Sequence, residues 1–400
     1  MRNWNEAKIK EFADVKGGKR LPKGKQLIKE QNSHPYIRIR DLGKSKYLQL
    51  TSEYEYVDDD TQKSIARYIV NEGDILISVV GTIGLIGIVG DTLDKANQTE
   101  NCDKIVNIKG IIPEYLYYYL VSDFGQEEIR KGTVGAVQPK LPLKNVQDIS
   151  VRYPSIEEQE KIVSILSSID EKIATNETVN NNLEQQAQAY FDKLFIINAD
   201  PNWAECTLSD IGSVIAGGTP SKSKPEYYAD QGIAWITPKD LSVNKSKFIS
   251  HGENDISELG FSKSSATKMP AGTILFSSRA PIGYIAIAQN EVTTNQGFKS
   301  VIPNENIGTA YAYFLLKNLL PIIEGMASGS TFKEISGAAM KSVPTVIPDA
   351  DTIQLFSNFC EPIFKEQEVL ESENKRLSVL RDSLLQKLMS GEIDVSGLVY

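Results

Sequence analysis

The sequence is poor in the residues that most catalytic sites require. It has only two histidines, His34 and His251, and three widely spaced cysteines, Cys102, Cys206 and Cys360. Neighbours in sequence therefore cannot build a histidine-based triad, an HExxH zinc site or a CxxC metal site, and three cysteines cannot close a disulfide framework. We interpret the histidines as structural and the cysteines as buried thiols, and we expect no metal in the chain.

Motifs for nucleotide binding and methyl transfer are also missing. The chain contains no GxxxxGK[ST] phosphate loop and no [N/D]PP[Y/F] tetrapeptide. Its glycines between residues 81 and 90 recur every third position, without the GxGxxG spacing of dinucleotide sites. We expect no catalytic residue and no cofactor within this chain.

Long apolar runs are absent as well. No eighteen consecutive residues are apolar, and residues 1–10 mix charged and polar side chains. This pattern predicts neither a signal peptide nor a membrane span, and we expect a cytoplasmic protein.

Basic residues are outnumbered by acidic residues, 43 against 52, but they are concentrated locally. The net charge of −9 argues against a nucleic-acid partner, yet residues 1–50 carry 13 basic against 5 acidic side chains. The excess acidity lies in residues 153–200 and 346–400. The basic stretch fits phosphate contact, although a solvated face without a ligand explains it equally well.

What the chain does contain is an internal repeat. Residues 70–89 align with residues 269–288 at an offset of 199 with eight identical positions, and Trp4 aligns with Trp203 at the same offset. Each copy spans about half of the chain. Two copies are too few for a solenoid and suggest a pseudo-dimer within one chain.

The first part of each copy has mixed structure. It is broken by Gly, Pro and Asn and contains short apolar runs, which predict strands at residues 75–77 and 274–276. Helices are predicted near residues 113–123 and 307–318.

The last part of each copy predicts one long helix. In the first copy it begins after Pro154 with the capping box Ser155-x-x-Glu158 and then lacks Gly and Pro to about residue 198. The second copy repeats this helix, where Pro362 is predicted to kink it or to begin it afresh.

Both helices carry apolar residues at alternating steps of four and three, which predicts a coiled-coil seam. The seam residues are Ile162, Leu166, Ile169, Ile173, Asn180, Leu183, Tyr190, Leu194, Ile363, Leu370, Asn374, Leu377, Leu384 and Leu388. Asn180 and Asn374 occupy equivalent positions, and we hypothesise that they fix the pairing register.

These patterns predict an α+β protein in which two tandem α+β domains are separated by two long helices that form an antiparallel coiled coil. The predicted segments are residues 1–152, 153–200, 201–345 and 346–400. The alternative, that each apolar stripe packs on its own domain, is disfavoured by the 3.5-residue period.

Several loops are rich in groups that suit contact with DNA. Glycines offer backbone amides for phosphate, whereas cations, hydroxyls and amides suit phosphate or base edges. The candidate DNA contacts are Gly17, Gly18, Lys19, Arg20, Arg38, Arg40, Thr133, Gln138, Lys140, Gly217, Gly218, Thr219, Ser221, Lys222, Lys239, Ser277, Ser278, Arg279, Asn295, Gln296, Ser330, Thr331, Phe332 and Lys333. Ordinary turns use the same residue types, so each one alone is weak evidence.

The two copies differ at these loops. Residues 278–279 of the second copy are Ser-Arg, where the first copy has Val-Val at 79–80. A shared scaffold with divergent loops predicts two different half-sites.

The amino-acid sequences of these loops resemble those of a known family. The segments GGTPSK at 217–222, NQGFK at 295–299, GSTFKEIS at 329–336 and YPSIEEQEKI at 153–162 are similar to the specificity subunit of type I restriction-modification enzymes. The resemblance covers essentially the whole chain. The first copy departs from this resemblance at residues 132–139, where the GSTF motif is missing.

This resemblance implies a function and partners. It implies two target-recognition domains, each reading half of a split double-stranded DNA sequence, with two helices that set the gap. It also implies two methyltransferase subunits that supply the S-adenosylmethionine site and the adenine chemistry, and restriction subunits that translocate and cleave. The chain itself is then a non-catalytic subunit. The alternative is a coiled-coil adaptor without DNA recognition.

Overall fold

The computed structural model describes residues 4–279, 281–329 and 333–397. The chain divides into two compact units, of which the first comprises Met1–Ile173 and Arg376–Tyr400 and the second Ala174–Lys375. This division cuts each long helix in two. The four predicted segments therefore stay a prediction.

Among the described residues, the first half of the chain has ten strands and five α-helices before its long helix. The strands are β1 Asn5–Lys8, β2 Asp14–Gly17, β3 Pro35–Ile37, β4 Tyr47–Leu48, β5 Glu55–Tyr56, β6 Ile75–Ser78, β7 Ile86–Val89, β8 Asn97–Gln98, β9 Cys102–Val106 and β10 Ser150–Tyr153. The helices are α1 Ile9–Phe12, α2 Asp59–Ile65, α3 Pro113–Val121, α4 Asp123–Gly132, α5 Leu143–Gln147 and the long α6 Ile156–Asp192.

The second half repeats this order. The strands are β11 Ala204–Thr207, β12 Gly212–Ala216, β13 Tyr228–Ala229, β14 Trp235–Ile236, β15 Phe248–Ile249, β16 Asp255–Ile256, β17 Ile274–Phe276, β18 Ile285–Ala288, β19 Thr293–Thr294, β20 Lys299–Pro303 and β21 Pro344–Ile347. The helices are α7 Leu208–Ile211, α8 Pro238–Val243, α9 Glu258–Ser262, α10 Gly308–Met326, α11 Gly337–Lys341 and the long α12 Ala350–Met389.

Each unit contains its own five-stranded sheet, and the two sheets have the same topology. The strand order is β2-β9-β6-β7-β4 in the first unit and β12-β20-β17-β18-β15 in the second. Only the last pair is parallel in each sheet. Val15 pairs with Ile105 in the first unit and Val214 with Val301 in the second, so the repeat read from the sequence is confirmed in strand register.

Apolar side chains cover both faces of each sheet. In the first unit, Ile75 and Ile77 pack on one face against α3 and the start of α6, and Leu76 packs on the other face. In the second unit, Ile274 and Leu275 divide between the two faces in the same way. Alternation along β6 and β17 therefore produces a mixed α+β unit with two cores. Cys102 and Cys360 are buried as predicted, whereas Cys206 is only half-buried.

The long helices run antiparallel within each unit. In the second unit, the Asn176 amide nitrogen donates to Asn374 at 2.8 Å, and the rings of Tyr190 and Phe359 lie 4.5 Å apart. The numbers rise along α6 as they fall along α12. In the first unit, Arg381 pairs with Asp170 at 3.2 Å in the same sense.

The predicted seam is buried at six of its fourteen positions and partly buried at the other eight, and the buried positions shift near the end of α6. Ile162, Leu166 and Ile169 are buried as predicted. Beyond Ala187 the fully buried positions are Phe191 and Phe195, and Tyr190 and Leu194 lie only partly buried at their side. The helix ends at Asp192 and is followed by a wider π-helical turn, Lys193–Ile197. Phe191 in the helix and Phe195 in the turn both contact aromatic rings of α10 and α12.

The two seam asparagines make different cross-helix contacts. Asn374 accepts from Asn176, whereas Asn180 donates to Glu371 at 3.3 Å and its carbonyl accepts from Gln367 at 3.2 Å. Polar side chains thus pair across the middle of the seam. Their role in fixing the register stays a prediction.

Pro362 does not restart the second helix, because α12 is continuous over 40 residues. Pro362 is exposed, and so is Asn358, whose carbonyl loses its helical donor. Water can therefore satisfy the freed carbonyl, and the helix continues. No helix in the described part of the chain is long and apolar enough to cross a bilayer.

Candidate nucleic-acid interface

Four segments meet at one edge of the five-stranded sheet in the first unit. The Gly18 amide donates to Cys102 at 3.1 Å, the Val79 amide donates to Asn101 at 2.8 Å, and the Leu141 amide donates to Val79 at 2.9 Å. Residues 17–20, 78–80, 98–102 and 133–141 are thereby joined. We call this the first loop edge.

The second unit repeats the arrangement. The Gly218 amide donates to Thr294 at 2.9 Å, the Ser278 amide donates to Gly297 at 2.8 Å, and the Ile335 amide donates to Ser278 at 3.0 Å. Residues 217–222, 277–279, 294–299 and the described parts of 328–335 form the second loop edge. The loops selected from the sequence are therefore neighbours in space within each unit.

A short hairpin with the backbone bridge Val134–Lys140 at its base lies at the first edge. At the second edge, Ser328 and Glu334 form the corresponding bridge. Gly135 and Gly329 stand at equivalent positions with φ of +96° and +128°, a conformation that other residues rarely adopt. Three predicted contacts, Ser330, Thr331 and Phe332, lie outside the described residues.

Three of the four glycines predicted to offer free amides to phosphate use those amides within the edges. The Gly18 and Gly218 amides donate within the edges, and the Gly217 amide donates to Phe298 at 3.5 Å. Added Cβ atoms would overlap the carbonyl oxygen of Thr99 at Gly18 and that of Asn295 at Gly217.

Gly17 belongs to β2 and pairs with Asp103. At Gly218 a Cβ would overlap the backbone of residues 265–266. Gly18, Gly217 and Gly218 serve close backbone packing, so the prediction of free amides is wrong at these three positions, whereas that for Gly17 stays a prediction.

The assignment of Ser277 and Ser278 as base-reading residues is also corrected. Both are fully buried. The Ser277 hydroxyl donates to the Pro281 carbonyl at 3.0 Å and accepts from the Tyr284 amide at 2.8 Å. The Ser278 hydroxyl donates to the Gly297 carbonyl at 3.1 Å. These hydroxyls hold the turn that presents Arg279.

Two other candidates are partly engaged in local structure. The Thr133 hydroxyl donates to the Ile129 carbonyl at 2.8 Å and closes the end of α4. The Asn295 side-chain oxygen accepts from the Gly297 amide at 2.8 Å. The side-chain amide nitrogen of Asn295 takes no part in this bond and can donate to another group. Thr219 hydrogen-bonds Gln296 across the second edge.

Exposed groups able to meet DNA remain at both edges. The first edge presents Lys19, Arg20, Gln138 and Lys140, and the second presents Ser221, Lys222, Arg279, Gln296 and Lys333. Arg20 lies 3.1 Å from Glu100 while remaining largely in water. Exposed cations beside hydroxyls and amides suit phosphate contact and base readout together.

Arg38, Arg40 and Lys239 follow strands that border the edges. The Ile37 carbonyl accepts from the Thr99 amide at 3.1 Å, which places Arg38 beside the first edge. Arg38 is half-buried, and its Nη1 atom is paired with Glu55, whereas its Nε and Nη2 atoms are buried without a hydrogen-bond partner among the described residues.

Arg40 is more exposed than Arg38 and lies 3.5 Å from Glu55. Lys239 hydrogen-bonds Glu253 at 2.6 Å, and this bond raises the pKa of Lys239 above its ordinary value. Each of these cations already has an acidic partner on its own surface.

A charge reversal beneath the two edges was not visible in the sequence. At the second edge, Glu334 accepts from Arg279 at 2.9 Å and lies 3.8 Å from the buried Lys299. Burial lowers the pKa of Lys299 below its ordinary value.

At the first edge, Asp103 occupies the strand position of Lys299, and Lys140 occupies that of Glu334. Burial raises the pKa of Asp103 to about 6, and its Oδ2 atom has no hydrogen-bond partner in the part of the chain that the structure describes. The signal was the strand register, which aligns residue 103 with residue 299.

Two copies of one loop-bearing sheet, each with its own set of exposed polar side chains, define a duplicated recognition protein. The chain belongs to the family of the type I restriction modification DNA specificity domain, whose sequence model matches residues 1–185 and again residues 201–377. The predicted fold class, two tandem α+β recognition domains with long helices, is thereby confirmed.

Relatives of this chain carry the same description. It is 39% identical over 179 residues to the type I restriction enzyme MjaIX specificity subunit of Methanocaldococcus jannaschii, a match that spans 42% of this chain and 41% of that relative. It is 25% identical to the type I restriction enzyme HindI specificity subunit of Haemophilus influenzae, over 90% of this chain and 95% of the relative.

A solved structure shares the fold. The crystal structure of a type I restriction-modification system S subunit from M. genitalium covers 96% of each chain with a TM-score of 0.55 and 19% sequence identity. Because both halves of the chain match a DNA specificity domain, the adaptor without DNA recognition is set aside.

Proposed function

We propose that this chain reads a bipartite double-stranded DNA target, with the first loop edge on one half-site and the second loop edge on the other. One observation carries the proposal: the same four segments converge in both units, while the exposed side chains that they present differ. Conserved geometry fixes how each edge meets the duplex. Divergent side chains give each edge its own sequence preference.

The charge distribution supports this proposal. The net charge of −9 is dominated by residues 153–200 and 346–400, which contain most of the long helices. The loop edges carry the exposed cations Lys19, Arg20, Lys222 and Lys333. The acidic excess therefore lies in other segments of the sequence than these cations.

We propose that the long helices dock the partner subunits. In the second unit, Leu355, Phe359 and Val369 are exposed on α12. Spacings of four and ten residues place these side chains on one face of a helix, so they form an apolar stripe that borders the seam where Phe359 contacts Tyr190. An exposed apolar stripe of this kind fits a protein partner.

The proposed partners are two methyltransferase subunits and the restriction subunits. The methyltransferase binds S-adenosylmethionine and methylates adenine, and this chain supplies no catalytic residue. We further propose that helix length sets the gap between half-sites, since 37 residues of α6 span about 55 Å at 1.5 Å per residue.

Methylation mapping tests the proposal. The chain is co-expressed with the methyltransferase subunit of its host's type I system, and methylated adenines are located across the genome by single-molecule sequencing. A split motif with a fixed gap that disappears when this chain is omitted supports the proposed function. Methylation that is unchanged without the chain contradicts it.

A further inference from the structure

The hairpin at the first loop edge carries valine side chains that face water. Val137 is 93% exposed, and Val134 and Val80 are 43% and 39% exposed. Val80 and Val134 both form backbone bridges with Lys140, so they lie on adjoining segments. None of the three belongs to a hydrophobic core of the unit among the described residues. We call these residues the valine patch.

We infer that the valine patch reads thymine in the first half-site by covering its 5-methyl group in the major groove. The inference rests on the proposed function, because it assigns one chemical contact to the first loop edge. The 5-methyl group of thymine is the apolar substituent that base pairs present in the major groove, and apolar side chains contact it directly.

The surroundings of the patch favour DNA over another protein as its occupant. Lys140 lies between Val80 and Val134, and the segment that bears Lys19 and Arg20 is bonded to residues 98–102 of the same edge. An apolar patch bordered by exposed cations complements a polyanion that displays methyl groups in a groove. A purely apolar protein surface would offer these cations no anionic partner of its own.

The second loop edge is polar at the same positions. The bridge Arg279–Glu334 corresponds to Val80–Lys140, and the bridge Ser328–Glu334 corresponds to Val134–Lys140. Arginine and serine read bases by hydrogen bonds, with guanine the usual partner of arginine. The inference therefore confines methyl readout to the first half-site.

Selection from a randomised duplex library provides the first test. The full chain, purified with its methyltransferase subunit, is compared with the Val137→Ser variant, which removes apolar surface from a side chain that has no packing role. Wild type is expected to enrich a bipartite motif with thymine at one position of the first half-site. Val137→Ser is expected to lose that preference and to retain the second half-site.

A matched control removes the same chemical group elsewhere. Val243 is 77% exposed at the end of α8 in the second unit. Val243→Ser is expected to leave the thymine preference of the first half-site unchanged. A loss of preference in both variants would show a general effect of polar substitution and would overturn the inference.

Deoxyuridine provides the second test, because it differs from thymidine only by the missing methyl group. In the selected duplex, replacing the preferred thymine by deoxyuridine is expected to weaken binding of wild type about fourfold, the equivalent of about 0.8 kcal/mol for one apolar carbon. Val137→Ser is expected to bind both duplexes with equal affinity.

The outcomes separate the inference from the proposed function. A bipartite motif whose thymine preference survives in Val137→Ser, or full affinity of wild type for the deoxyuridine duplex, overturns the inference and leaves the proposed function standing. Failure of wild type to enrich any bipartite motif overturns both.

Discussion

Replacing Asp103 by Asn is expected to stabilise the first unit at neutral and alkaline pH. Asp103 is buried beneath the first loop edge, and its Oδ2 atom lacks a hydrogen-bond partner among the described residues. Burial raises its pKa from 3.8 to about 6. An ionised carboxylate in this position costs free energy that a neutral amide of the same shape does not.

The pKa shift gives the size and the direction of the effect. Since the folded chain holds the Asp103 proton more tightly than the unfolded chain, unfolding releases a proton between about pH 4 and pH 6, and stability falls as pH rises through this window. A shift of roughly two pKa units corresponds to a loss of about 3 kcal/mol in the free energy of unfolding, and this loss is complete above pH 6. We expect Asp103→Asn to gain about 1–3 kcal/mol at pH 8 and less than about 1 kcal/mol at pH 4.

Urea unfolding measures this difference. The fluorescence of Trp4 reports the first unit when Trp203 and Trp235 are replaced by Phe in both proteins under comparison. Asp60→Asn, at an exposed carboxylate of α2 in the same unit, is the matched control and is expected to change stability little at either pH. A gain from Asp103→Asn that is equal at pH 4 and pH 8, or no gain at pH 8, would refute the reasoning.

Three further predictions concern the second unit and the helices. Arg279→Ala is expected to weaken DNA binding about tenfold through the second half-site only, because its guanidinium is exposed at the second loop edge beside Glu334; quantitative binding to duplexes altered in one half-site checks this, and equal loss on both would contradict it. Lys247→Met is expected to lower the free energy of unfolding of the second unit by about 3 kcal/mol, because it leaves Glu184 and Gln367 without a buried cation. Denaturation monitored by Trp235 fluorescence measures the change. Unaltered stability would contradict the prediction and would show that Lys317 alone stabilises the Glu184 carboxylate. Deleting four residues from the middle of α6 is expected to change the gap between half-sites while leaving both half-site sequences intact; methylation mapping decides, and an altered half-site with an unaltered gap would count against the helices as a spacer.

Periodicity in the sequence was enough to predict the elements that depend on local pattern. The strands at 75–77 and 274–276 and the capping box of α6 are confirmed, with Ser155 and Glu158 hydrogen-bonded to each other. These features depend on residues near one another in the chain. The strand register, which is the same in both units, was not predicted from the sequence.

The site was predicted less completely, because exposure depends on contacts that are distant in sequence. Gly217 and Ser278 have the residue types of a binding loop, yet the Phe298 and Gly297 carbonyls engage them inside the unit. The sequence does not predict the valine patch, because valine is typical of a hydrophobic core. Only the hairpin geometry shows that Val137 lies outside every core of the unit.

The closing of the first unit by the last residues of the chain constrains how the protein is made. Leu388, Met389 and Val395 are buried in the same core as Ile9 and Ile162, whereas the second unit is one continuous segment. A chain leaving the ribosome can therefore complete its second unit before its first, against the usual N-terminal order. Premature termination after residue 375 would spare the second unit and remove Leu385, Leu388, Met389 and Val395 from the core of the first.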